Sequence, residues 1–176
     1  MITGEVGTGK TVAIRCAVAG LDPASHTIIY IGNPATGVRG ILAHVVTALG
    51  GKPVHGTAAL AVQAWTVLAG QPTLRHSVKL GVLAALEQRI TVRYQMRGMT
   101  PDETASYVRH HLEQAGRTAE LFTDDAIAQI HQAARGKPRT VNNICTAALI
   151  ATAGAGKNLV DHASARAAIA EVTATD

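Results

Sequence analysis

The chain has 176 residues, of which 47% are hydrophobic, 16% charged and 3% aromatic. That apolar fraction excludes a disordered chain and predicts a packed core, while no apolar run approaches the ~18–20 residues needed to cross a bilayer. The net charge of +4 is concentrated between Gln71 and Met99, where Arg75, Lys79, Arg89, Arg93 and Arg97 meet only Glu87, an excess that suits an anionic neighbour or a solvated face.

Met1-Ile2-Thr3-Gly4-Glu5 has no basic stretch leading into an apolar one, so no secretory leader is expected and the expected location is cytoplasmic. Ile2-Thr3 reads as a strand end. It leads into Gly4-Glu5-Val6-Gly7-Thr8-Gly9-Lys10-Thr11, which fits G-x-x-x-x-G-K-[ST], and then into a helix carrying Val12, Ile14 and Val18. Glycines let backbone amides turn inward around phosphates at a helix N-terminus, where the dipole favours anions. On this pattern Gly4, Gly7, Thr8, Gly9, Lys10, Thr11 and Val12 are the candidate nucleotide-binding residues. Lys10 reaches the β- and γ-phosphates, and the Thr11 hydroxyl ligates Mg²⁺. The alternative is a glycine-rich turn that holds no ligand. A nucleoside triphosphate with Mg²⁺ is the expected ligand pair.

Further along, Thr27–Ile31 reads as a buried strand, and Val38, Ile41, Leu42, Val45, Val46 and Leu49 mark one face of a helix that Gly50-Gly51 ends. Trp65–Ala69 reads as a second buried strand, and Ile90–Met96 alternates like a half-exposed one. Strands alternating with helices predict a parallel α/β sheet. Cys16 and Cys145 share no motif and are expected as small buried hydrophobes. The few aromatics, Tyr30, Trp65, Tyr94, Tyr107 and Phe122, stand mostly at core-like positions.

From Thr100 onward only helices are predicted. Thr100-Pro101-Asp102-Glu103 is a capping box with proline at the first helical position, and that helix ends at Gly116. Thr123 caps a second helix that stops at Gly136. Pro138 opens a third, and Asp161 caps a fourth. A small helical bundle is the packing that satisfies their apolar faces.

With a phosphate loop, an α/β half and a helical half, the sequence resembles the AAA+ ATPases, in the branch of secretion-pathway and transposase-helper ATPases. The resemblance implies a P-loop NTPase three-layer core with a reduced parallel sheet over 1–97 and a small all-helical lid over 98–176. It also assigns roles. Gln71, in Ala69-Gly70-Gln71-Pro72, matches the sensor-1 position beside the γ-phosphate or the attacking water. Arg89, in Leu86-Glu87-Gln88-Arg89-Ile90, matches the arginine that reaches into a neighbouring subunit's site, where it offsets charge on the γ-phosphoryl group. Arg139, in Gly136-Lys137-Pro138-Arg139, matches the sensor-2 arginine of the lid, and Asn33 is a further polar candidate. The implied partners are ATP or ADP, further copies of the chain, and either DNA or a transposase or secretion protein.

One family element is missing. None of the 12 Asp and Glu residues follows an apolar strand as Asp-Glu: Glu5 lies in the phosphate loop, Asp22 in a turn, and Asp102-Glu103 and Asp124-Asp125 open lid helices. Where that acidic strand belongs, around 57–66, the chain runs directly toward the strand that precedes Gln71, short by roughly the ~30 residues of a βαβ unit. Met1-Ile2-Thr3 likewise stand for a strand that is usually ~5–6 residues long. Direct pairing of Thr27–Ile31 with Thr66–Ala69 is therefore expected, in a sheet of about four strands. Hydrolysis needs a carboxylate base within hydrogen-bond reach, so binding is expected with very weak turnover. A non-hydrolysing regulatory or assembly subunit, or a vestigial product, is the alternative.

Overall fold

The computed structural model describes residues 1–31, 37–51, 68–79, 87–88 and 90–174. These form two compact units, one made of Met1–Lys10 and Ala69–Asp176, the other of Thr11–Leu68.

The first unit holds a three-stranded parallel sheet in the order β2-β1-β3, with β1 at Ile2–Thr3, β2 at Ala69–Gly70 and β3 at Tyr94–Gln95. Ile2 lies opposite Ala69 on one side and Tyr94 on the other, and Thr3 opposite Gly70 and Gln95. The helix numbered α3 below, Pro72–Val78, packs on β1 and β2. In the second unit, α1 (Lys10–Ala19) begins at the boundary and α2 spans Gly37–Ala48. Val46 is buried, and Gly50 ends the helix at φ +79°.

The reduced parallel sheet stands as expected, with three strands among the described residues against the four expected. Thr27–Ile31 joins no strand ladder among the described residues, and its Ile28 and Tyr30 side chains are exposed. A β-branched run becomes a strand only against a hydrogen-bonding neighbour, and none stands beside Thr27–Ile31 among the described residues. Ile90–Met96 contributes only Tyr94 and Gln95 to the sheet, and Val92 and Tyr94 are exposed. Tyr30 and Tyr94 are therefore not core aromatics, whereas Phe122 is buried. Cys16 is also exposed. The apolar residues of α1 recur every second position, at 12, 14, 16 and 18, which scatters them around a helix instead of aligning them on one stripe; no residue of α1 is buried.

The helical half follows its start and stop signals. α4 (Pro101–Gln114) carries the complete capping box: the Glu103 amide donates to Thr100 Oγ1 at 3.2 Å and the Thr100 amide to Glu103 Oε2 at 2.8 Å. α5 (Asp124–Ala134) is capped by Thr123, α6 spans Pro138–Gly154, and α7 spans His162–Ala174. Ile130, Ile144, Val141 and Val160 are fully enclosed among Ala126, Ala148, Ala165 and Ala168. Small alanines let the helices approach closely around the larger branched residues. The buried Thr104 hydroxyl donates to the Thr100 carbonyl at 2.9 Å and accepts from His131 Nδ1 at 2.8 Å, tying α4 to α5. Burial pushes the half-buried Cys145 thiol up to about 12, so it packs as an apolar group. No helix among the described residues is long and apolar enough to cross a membrane.

Asp161 caps α7: the Ser164 amide donates to Oδ1 at 2.8 Å and Lys157 Nζ to Oδ2 at 3.0 Å. These bonds, the Ser164 amide first, hold its carboxyl well below the usual carboxylate range. A depressed folded-state value contributes stability above the unfolded value of about 3.9, and that stability disappears as pH falls through the folded value. Asp161→Ala is accordingly expected to melt below the wild type at pH 7, with the gap closing as pH falls below 4. Thermal melts across pH 7 to 2 check this, and a gap independent of pH would contradict it.

Candidate functional site

The phosphate loop starts at the C-terminal edge of the sheet, the end at which open α/β sheets bind ligands. β1 is held there on both sides: the Gly4 amide donates to the Gly70 carbonyl at 3.3 Å, and the Met96 amide to the Thr3 carbonyl at 2.7 Å. A side chain at Gly4 would stand 2.9 Å from both the Met96 carbonyl oxygen and Thr8 Oγ1. Gly7 and Gly9 sit at φ +83° and +84°, a region glycine enters without steric cost. The buried Thr8 closes the turn by donating from Oγ1 to the Glu5 carbonyl at 2.9 Å. Lys10 Nζ folds back to donate to the carbonyls of Gly4 at 2.8 Å and Glu5 at 2.7 Å.

The start of α6 sits on this loop. The Arg139 amide donates to the Gly7 carbonyl at 3.4 Å, and a Cβ at Gly7 would lie 3.0 Å from the Arg139 Cβ. Partial burial, with the Arg139 charge added to it, lowers the Lys10 ammonium from its ordinary value. Two cations thus converge on one loop. The nearby carboxylate of Glu5 is engaged elsewhere: it pairs with Lys137, whose hydrogen bond and charge hold it below the usual carboxylate range. Glycines at positive φ, with two cations unmatched by a carboxylate among the described residues, suit an anionic group such as a phosphate. Beside the loop lies a cleft of about 180 Å³, lined by Thr8, Met96, Arg97 and Arg135 together with the Glu5–Lys137 pair.

Gln71 immediately follows β2, one residue beyond the Gly70 carbonyl that the Gly4 amide engages. Thr11 and Val12 lie exposed in the first turn of α1. Arg89, Asn33 and Trp65 fall outside the described residues. Among the described residues no group of three His, Cys, Asp or Glu could hold a metal ion. The Glu5–Lys137 pair is absent from the sequence reading. Both residues stood inside recognised motifs, but nothing in either motif indicated that the two would meet.

The AAA domain family model matches residues 1–150. General secretion pathway protein A of Aeromonas hydrophila is 30% identical over 221 residues, covering 98% of this chain and 40% of that protein. The aligned span exceeds the 176 residues present here, so the relative carries residues without a counterpart in this chain. Among solved structures, the Thermotoga maritima RuvB Holliday junction branch migration motor superposes with a TM-score of 0.67 at 15% identity, covering 96% of this chain and 59% of that one. The family match over the phosphate loop, the parallel sheet and most of the helical half places this chain in the AAA domain family, with an AAA+ P-loop fold.

Proposed function

We propose that this chain is an ATP-binding AAA+ module in which nucleotide binding has been separated from turnover. The observation that carries the reading is the seating of Arg139 on Gly7 beside Lys10, which gathers two cations around glycine-turned amides. In this reading residues 1–97 bind the nucleotide and residues 98–176 form the lid. The amides of Gly7, Thr8 and Gly9 cradle the phosphates, Lys10 and Arg139 offset their charge, Thr11 holds Mg²⁺ and Gln71 faces the γ-phosphate. Arg89 serves a neighbouring copy's site in a homo-oligomer that engages DNA, a transposase or a secretion protein.

Weak turnover is supported by the sequence. No Asp-Glu follows an apolar strand, and the longer aligned span of the secretion relative fits an internal shortening here. A triphosphate can be held by amides and cations alone, whereas hydrolysis needs a base placed against the attacking water. Titration with fluorescently labelled ATP and Mg²⁺, run beside a phosphate-release assay, tests both halves. Saturable binding with negligible release is the expected outcome. Absence of binding rejects the reading, and release at about 1–10 per second, an ordinary enzymatic rate, rejects the separation.

A further inference from the structure

We propose that the Glu5–Lys137 ion pair is a clasp that seats the lid on the phosphate loop, making Glu5 and Lys137 positioning residues for Arg139. The inference rests on the nucleotide reading only where it concerns the ligand; the clasp itself is a contact within the free protein. Lys137 occupies the N-cap of α6 and makes no side-chain cap hydrogen bond. That position normally belongs to Ser, Thr, Asp or Asn, whose oxygens accept from the helix amides. A lysine ammonium only donates, so at this position it contributes nothing to the helix and is directed to the Glu5 carboxylate instead.

The side chain of Lys137 is 29% exposed and that of Glu5 62%, so the pair is partly screened by water. Pro138 fixes the next backbone turn, and Arg139 follows with its amide on the Gly7 carbonyl. Anchoring Lys137 therefore sets where Arg139 stands relative to the loop. The pairing has a second effect: it keeps the one loop carboxylate on Lys137 and away from the place where Lys10 and Arg139 act on an anion.

The first test needs no nucleotide. In Glu5→Gln and Lys137→Gln, hydrogen exchange at the Arg139 and Met99 amides is expected to rise about threefold, the scale of a partly exposed ion pair. The reversed pair E5K/K137E is expected to return both amides toward wild-type protection. Added salt should speed exchange in the wild type and leave Glu5→Gln unchanged. Unchanged exchange in both single variants, or failure of the reversed pair to restore protection, overturns the clasp whatever ATP does. A second arm with labelled ATP is expected to show about threefold weaker binding in each single variant and no further loss in the double E5Q/K137Q. Independent, multiplying losses would overturn the coupling. If the wild type binds no ATP while the exchange results hold, the nucleotide reading fails and the clasp stands.

Discussion

Lys10→Ala is expected to weaken binding of labelled ATP by about 15- to 150-fold, since a charge-assisted hydrogen bond contributes ~1.5–3 kcal/mol. In the free protein the Lys10 ammonium rests on the Gly4 and Glu5 carbonyls at 2.8 and 2.7 Å, inside the curve of the loop. Burial and the Arg139 charge both disfavour its protonated form there. A phosphate would supply the opposite charge that neither carbonyl can, so the ammonium gains more from the ligand than from its resting contacts. Arg139→Ala is expected to lose less, about tenfold, because the loop amides and Lys10 remain in place. Wild-type affinity in Lys10→Ala, with its thermal melt preserved, would move the phosphates away from this loop and refute the site.

The legible parts of this molecule are those whose determinants lie within a few residues of each other. Thr100 and Glu103 satisfy each other's amides across a single turn, and Thr123, Pro138 and Asp161 act as locally at their own helix ends. The four helices of the C-terminal half could therefore be placed from sequence. The phosphate loop was legible for the same reason, being a contiguous string of residue types. The sheet was not. Thr27–Ile31 has strand composition but no ladder among the described residues, and Ile90–Met96 keeps only two paired residues, because a strand depends on what lies beside it. The Glu5–Lys137 pair was hidden similarly, since it joins a loop and a helix N-cap that only tertiary structure brings together.

That tertiary link passes through a hinge in which two glycines touch backbone to backbone. Gly136 sits at φ +65°, the Met99 amide donates to its carbonyl at 2.8 Å, and a Cβ on Gly136 would stand 2.1 Å from the Met99 carbonyl oxygen and 2.6 Å from the Met99 nitrogen. Across the contact, a Cβ on Gly98 would fall 2.2 Å from the Arg135 carbonyl oxygen. Neither obstacle is a flexible side chain that could turn aside. Gly136→Ala must therefore bear both the left-handed backbone, ~1–2 kcal/mol for a residue with a side chain, and the separation of two backbone segments, on the scale of ~1–3 kcal/mol for overpacking. The expected loss is about 2–5 kcal/mol in the urea unfolding transition. Gly116→Ala is the matched control: its φ is +76°, yet nothing lies within 4 Å of the added Cβ. It should lose only the backbone part, about 1–2 kcal/mol. The difference between the two variants isolates the cost of prying the hinge open, and equal losses would show that the Gly98–Gly136 contact yields freely and does not fix the start of α6. With the hinge pried open in Gly136→Ala, the Arg139 amide should also lose its protection on the Gly7 carbonyl, whereas Gly116→Ala should leave that amide as protected as in the wild type.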